Sequence, residues 1–315
     1  MPTIGVIIPV HNEEQNLLDL YKRLKGVLSS IDDDHELIFV NDGSSDNSLE
    51  LILGLSKQDE SVYYINLSRN FGHQIAVSAG LNYSKADAVV IIDSDLQDPP
   101  ELINKLFSEY KNGYDVVYAK RRKRDGEGAL KKGTAKLFYR VLRKLVPFEI
   151  PIDTGDFRLI SQKVVKSLNT MPEQNKFLRG QIAWLGFKQT YVFFDRDSRK
   201  KGETSYSYSK MFRLAFDGIT GFSDKPLALV TKLGFIISFV AFMFIMFAIF
   251  SHFVLKETIT GWTSIIVSAS FLGGIQLFSI GIIGEYISRI NRNVQNRPLY
   301  IIEATNLKNS EDKNS

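Results

Sequence analysis

The chain has 315 residues, no cysteine, four histidines and a formal net charge of +4. Disulfides, thiolate nucleophiles and Cys-based zinc sites are therefore excluded. The scattered positions of His11, His35, His73 and His252 fit no metal-ligand spacing. The charge is uneven: residues 120–144 hold eleven Lys and Arg against Asp125 and Glu127, so the rest of the chain is net acidic. Such a basic block points to anionic partners.

In chain order, the first 120 residues alternate strand and helix. No basic leader precedes Thr3–Pro9, which reads as a strand. Glu13–Leu28 reads as a helix, Glu36–Val40 as a strand, and a helix capped near Ser45-Asp46 follows. Val62–Leu67 and Ala88–Ile92 are strands on either side of a helix over Gln74–Tyr83. Pro99-Pro100 opens another helix before a strand at Asp115–Ala119. This alternation predicts an α/β fold, a mostly parallel sheet flanked by helices on both faces.

Asp93-Ser94-Asp95 stands at the end of the uncharged run Ala88–Ile92, where open α/β sheets place ligands. Two carboxylates about 5 Å apart repel by roughly 3 kcal/mol at an effective dielectric near 20. The pair therefore favours a hard divalent cation such as Mg²⁺, whose shell a diphosphate completes. The other strand ends add Pro9–Glu13, Asn41–Asp46 and Ser68–Gly72 to the same edge. Asp42 suits a base or ribose, and Arg69 a phosphate. The glycine spacing fits neither a dinucleotide fingerprint nor a P-loop.

Residues 120–205 are less regular. Leu130 to Leu145 carry apolar residues at helical spacing with Lys and Arg between them, a basic amphipathic helix suited either to an anionic membrane surface or to packing on the domain. Leu233–Ser251 and Gly261–Gly284 are uncharged over 19 and 24 residues. As helices they extend about 29 and about 36 Å, against a hydrocarbon core of roughly 30 Å. They read as two transmembrane helices, with Trp262 and Tyr286 as interface anchors. The flanks carry Lys210, Arg213, Lys225 and Lys232 on one side and Arg289, Arg292 and Arg297 on the other, which places both in the cytoplasm. Glu303–Ser315 is polar and reads as disordered.

The motifs Pro9-Val10-His11-Asn12-Glu13, Asn41-Asp42-Gly43-Ser44-Ser45-Asp46, Ser68-Arg69-Asn70-Phe71-Gly72 and Asp93-Ser94-Asp95-Leu96-Gln97-Asp98-Pro99-Pro100 occur in this order. Thr154-Gly155-Asp156-Phe157-Arg158-Leu159 and Arg196-Asp197-Ser198-Arg199-Lys200-Lys201-Gly202-Glu203-Thr204-Ser205-Tyr206 follow them. Together they resemble the family 2 inverting glycosyltransferases of GT-A fold, within them the polyprenyl-phosphate hexosyltransferases. The resemblance spans roughly residues 3–297 and implies a hexose, glucose from UDP-glucose first, moved to a polyprenyl phosphate. Amino-arabinose or N-acetylhexosamine transfer to the same lipid, and a non-catalytic membrane scaffold, are the alternatives.

The resemblance also implies roles. Pro9, His11, Glu13, Asp42, Arg69, Asp93, Gln97 and Arg121 would bind the nucleotide sugar, and Asp93 and Asp95 would hold Mg²⁺ or Mn²⁺. Asp156, Asp95 and Arg199 would serve the reaction centre, and Arg124, Arg196, Lys201 and Ser205 the acceptor phosphate. Ser205 stands where many relatives have Lys. An ion pair of Asp156 with Arg158, and a solvated loop at Arg196–Lys201, are the plainer readings of those segments. The implied organisation is a cytoplasmic catalytic domain at 1–205, a juxtamembrane connector at 206–228, a transmembrane hairpin at 229–288 and a tail at 289–315 whose end is disordered. The expected partners are a nucleotide sugar, a polyprenyl phosphate and the bacterial inner membrane, with no nucleic acid and room for a homo-oligomer.

Overall fold

The computed structural model describes residues 3–31, 34–122, 151, 154–194, 221, 223–250 and 261–307. The basic amphipathic segment and most of the connector, with Arg124, Arg196, Arg199, Lys201 and Ser205, lie outside the described residues.

The amino-terminal half alternates as its hydrophobic pattern dictates. The strands are β1 (Ile4–Val10), β2 (His35–Asn41), β3 (Val62–Leu67), β4 (Ala88–Ile91) and β5 (Val116–Arg121). Between them run α1 (Leu17–Leu28), α2 (Ser48–Gln58), α3 (His73–Tyr83) and α4 (Ile103–Lys111), the last entered through a 3₁₀ turn at Pro100–Leu102. Every residue of β1 is buried, as expected of a central parallel strand covered on both faces. Val6 and Ile8 pack with α1, α2 and α4 through Leu20, Leu24, Ile52 and Leu106. Ile7 faces the opposite layer, with Val77 and Leu81 of α3.

The stretch read as irregular contributes β6 (Thr154–Ser161), α5 (Gln162–Asn169), α6 (Leu178–Trp184) and β7 (Gln189–Phe194). Together with β8 (Ile302–Thr305), the sheet has eight strands in the order β7-β5-β6-β4-β1-β2-β3-β8. It is mostly parallel, with helices on both faces. β6 runs antiparallel to β4 and β5, with Arg158 opposite both Ile91 and Tyr118. Because β6 is reversed, its first residues lie at the carboxyl edge of β4. That register brings Thr154–Asp156 beside Asp93.

Two long helices follow, α7 (Lys225–Phe250) and α8 (Trp262–Gln295). At 26 and 34 residues they are about 39 and about 51 Å long. Both are long and apolar enough to cross a membrane, and neither hydrophobic window is buried. Phe235 and Leu277 are 75% and 72% exposed, so these are not core helices of the sheet domain. The polar end of α8 carries a Glu285–Arg289 ion pair at 3.3 Å. Asn296, left-handed at φ 42°, terminates it.

The polar tail departs from its sequence reading. Ile302–Thr305, three residues of which were expected to be disordered, form β8 and pair antiparallel with β3. Tyr300, Ile302 and Leu307 anchor it on the core, but only Ile302 lies within the strand, and the mostly polar run from Glu303 onward reads as disorder.

Candidate active site

The carboxyl ends of the parallel strands form a shelf built from the loops after β1, β2, β3 and β4. Asp42 follows the last residue of β2 but does not project into open solvent. It is buried, and its two carboxylate oxygens accept from the backbone N–H of Phe71 and Gly72 at 2.7 and 2.9 Å. It anchors the start of α3 and offers a nucleotide only its remaining lone pairs. Gly43 adopts φ +63°, and a Cβ there would collide with the backbone of Arg69 and Asn70. Glycine is required at that crossing.

The β1 and β2 loops are stitched together. Asn12 N donates to Ser44 Oγ at 3.0 Å, and Ser45 N to Asn12 Oδ1 at 2.8 Å. Glu13 N donates to Ser48 Oγ, and Glu14 N to Asp46 Oδ2. Exposed His11 sits over this loop, its Nδ1 2.9 Å from the Asp42 carbonyl oxygen. Pro9 is buried within β1, and its carbonyl accepts from Ser94 Oγ at 3.0 Å. Arg69 is exposed and lies over the ring of Phe71, 4.0 Å from its centroid.

Asp93 and Asp95 follow β4. Leu96 next to them has φ 58°, a costly conformation for a residue with a Cβ. Asp95 Oδ1 accepts from the backbone N–H of Gln97 at 3.1 Å, and Asp93 Oδ1 meets His73 Nε2 at 2.8 Å. The other nitrogen of His73 lies 4.0 Å from Asp156 Oδ2. Burial alone would lower the pKa of His73. The carboxylates of Asp93 and Asp156 outweigh it and lift the imidazole to about 9.

Asp156 is enclosed by cations. Its Oδ1 accepts from Arg158 Nη2 at 2.9 Å and Arg179 Nη2 at 3.3 Å. Burial would raise its pKa, but Arg179, Arg158 and His73 hold it down at about 2. Arg158 is only 1% exposed, donates to the carbonyls of Gly155 and Asp156, and lies over the ring of Tyr118. Its Nη1 is buried with no hydrogen-bond partner among the described residues. Arg121 reaches Asp98 at 3.4 Å beside Gly155.

The donor chemistry fits a hard cation. The pKa of Glu13 is raised by burial and by the carboxylates of Asp95, Asp46 and Asp93, which marks excess negative charge on the shelf. Among the described residues no three His, Cys, Asp or Glu side chains converge as a ready-made ligand set. Asp93 and Asp95 would therefore supply two oxygen ligands, and diphosphate and water the others, as is usual for Mg²⁺.

The structure thus gathers Asp93, Asp156, Arg121 and the loop residues around one edge. It adds His73 and Arg179, which sequence reasoning had not singled out. His73 is the first residue of α3, directly after the Ser68–Gly72 motif. That adjacency was the available signal. Arg179 lies on α6, which is tied to α3 by the Leu178 N–H to Gln74 Oε1 hydrogen bond at 3.1 Å.

The family described as glycosyl transferase family 2 matches residues 5–168. The chain is 47% identical over 299 residues to the uncharacterized glycosyltransferase YkcC of Bacillus subtilis, covering 95% of this chain and 93% of that protein. It is 38% identical over 300 residues to the prophage bactoprenol glucosyl transferase homolog of Escherichia coli, covering 95% and 98%. A crystal structure of glucosyl-3-phosphoglycerate synthase from Mycobacterium tuberculosis, in complex with Mn²⁺, UDP and glucosyl-3-phosphoglycerate, aligns with a TM-score of 0.49 and 18% identity over 70% of this chain and 78% of that one.

Proposed function

The chain belongs to glycosyl transferase family 2, and from that membership we propose that it transfers a hexose, glucose from UDP-glucose first, to a polyprenyl phosphate at the cytoplasmic face of the bacterial inner membrane. The observation that carries this reading is the line Asp93–His73–Asp156 at the carboxyl edge of the sheet, flanked by Arg158 and Arg179. The two long apolar helices, and relatives named for a bactoprenol acceptor, support the lipid.

The chemistry is a displacement at the anomeric carbon. An oxygen of the lipid phosphate forms the new bond, the bond to the nucleotide diphosphate breaks, and the leaving diphosphate takes the electron pair. The configuration inverts. A monophosphate ester has its second pKa near 6, so the acceptor is already largely dianionic at neutral pH. Arg179, Arg158 and His73 hold the Asp156 carboxyl below its ordinary range and make it a weak proton acceptor, so in this reading Asp156 orients substrate rather than deprotonating it. Bound to Asp93 and Asp95, Mg²⁺ or Mn²⁺ would offset charge growing on the leaving group. His11, Glu13 and the Asn41–Asp46 loop face the nucleotide in this reading, and Arg69 and Arg121 the diphosphate. By resemblance, Arg124, Arg196, Arg199, Lys201 and Ser205 face the acceptor.

The test is membranes carrying the protein, incubated with radiolabelled UDP-glucose, UDP-galactose, UDP-N-acetylglucosamine, GDP-mannose and UDP-amino-arabinose plus undecaprenyl phosphate. Label should enter the lipid fraction from UDP-glucose. It should fall by about 100-fold or more in Asp93→Ala and Asp95→Ala, which remain folded and membrane-bound, and with excess chelator. Lipid labelling by none of these donors refutes the enzyme. Labelling by another donor reassigns the sugar.

A further inference from the structure

The carboxy-terminal strand reaches the loop after β2 through a line of side-chain amides. Asn41 and Asn66 are partners in the β2–β3 register. Asn41 Nδ2 donates to Asn66 Oδ1 at 2.7 Å, and Asn66 Nδ2 donates to Glu303 Oε2 at 3.0 Å. At the other end, Asn41 Oδ1 accepts from the backbone N–H of Ser44 at 3.3 Å. Ser44 Oγ in turn accepts from Asn12 N across the shelf. Asn41 and Asn66 are 2% and 7% exposed, so these bonds are their main alternative to water.

The line has a direction. A primary amide can turn over and exchange its donor for its acceptor, but a carboxylate only accepts. Glu303 therefore obliges Asn66 to present its NH₂ outward and its oxygen inward. Asn41 must then present its NH₂ to Asn66, which leaves its oxygen for Ser44 N–H. We propose that Glu303, a residue beyond both long apolar helices, is a positioning residue for the nucleotide loop, fixing the backbone at Ser44 through the orientation of Asn66 and Asn41. The proposal rests on the reading of Asn41–Asp46 as the loop that meets the nucleotide. It makes β8 part of the donor site as well as the cover of a sheet edge.

The order of substitutions follows from donor and acceptor character. Glu303→Gln keeps an acceptor oxygen. Glu303→Ala removes it and lets the amides turn. Glu303→Lys offers only donors, which reverses the line and sets the Asn41 NH₂ against Ser44 N–H. Asn306→Ala is the control: it deletes bonds to Tyr64 N and Val62 O at the other end of the β8 pairing without touching Asn66.

The measurements are amide hydrogen exchange of residues 42–47 and UDP affinity by calorimetry, with Mg²⁺, on the full chain in detergent. Glu303→Lys should speed exchange and weaken UDP binding by about tenfold or more, with Glu303→Ala intermediate and Glu303→Gln within about twofold of wild type. Asn306→Ala should leave exchange at 42–47 unchanged. Wild-type exchange in Glu303→Lys, or an equal effect from Asn306→Ala, overturns the proposal. If exchange follows the expected order but wild type binds no UDP, the coupling stands and the nucleotide reading of the loop falls.

Discussion

Asp156, proposed above to orient substrate, is also a structural element. It is the ionised partner of Arg158, whose guanidinium is almost wholly buried beside Tyr118. Removing the charge from one member of a buried pair leaves the other uncompensated, at a cost of about 3 kcal/mol. Asp156→Asn should therefore lower the melting temperature in detergent as well as transfer, and a variant melting like wild type would show that Arg158 does not depend on it. Glu36 gives a pH test far from the chemistry. It is buried at the opposite end of the sheet, accepts from the Ser84 hydroxyl and Lys85 N–H, and burial raises its pKa above 4.5. A carboxyl with a raised folded-state pKa binds its proton more tightly when folded, so stability declines as pH climbs from 4.5 through the folded-state value. Glu36→Gln keeps an acceptor oxygen without the charge. Its melting temperature relative to wild type should rise across that interval and then level off, and a difference independent of pH would contradict the assignment. The position of Asp93 and Asp95 at the sheet edge was legible because a strand ends before them. His73 and Arg179 were not, because their partners lie 20 and 23 residues away, at separations no helical or strand period marks.

Secondary elements were legible where periodicity is strong and neighbours are sequential. β1 to β5 and α1 to α4 fall within a few residues of their expected positions. β6 was hidden because its reversed direction is set by β4 and β5 and by nothing within the segment itself. The contact of α3 with β1 illustrates tertiary packing overriding local preference. Gly80 lies in the interior of α3, where alanine would favour the helix by about 1 kcal/mol. A Cβ at Gly80, however, would stand 2.5 Å from Ile7 Cγ2. Overpacking of this kind costs about 1–3 kcal/mol, so the clash wins. Gly80→Ala should destabilise the protein, and the same substitution should cost less in an Ile7→Ala background, where Cγ2 is absent. A more stable single variant would show that α3 shifts away from the sheet at little cost.

At the scale of the whole molecule, β8 constrains how the chain can sit in a bilayer. β3 precedes both long helices and β8 follows them, yet the two strands are paired and Ser68 N donates to the Ile301 carbonyl. The segments on either side of the hairpin must then occupy the same side of any membrane it crosses, which requires an even number of crossings. Tyr286 Oη reinforces the closure by donating to the Ser223 carbonyl at 2.7 Å, tying the end of the second helix to the entry of the first. The apolar runs were legible by length alone, whereas this return to the sheet was not, because four residues of edge strand are too few to show a period. In the proposed orientation, argued from the positive flanks, the shared side is the cytoplasm and the short segment containing Thr258 lies outside. The absence of native cysteine makes the test direct, since any thiol introduced is unique. In intact cells, Thr258→Cys should react with a membrane-impermeant maleimide, and Lys57→Cys on α2 should react only after lysis. Glu303→Cys should match Lys57→Cys, because β8 and α2 share a domain. Labelling of Glu303→Cys but not Lys57→Cys from outside would mean an odd number of crossings and would break the β3–β8 pairing on which the proposed link from Glu303 to the loop after β2 depends.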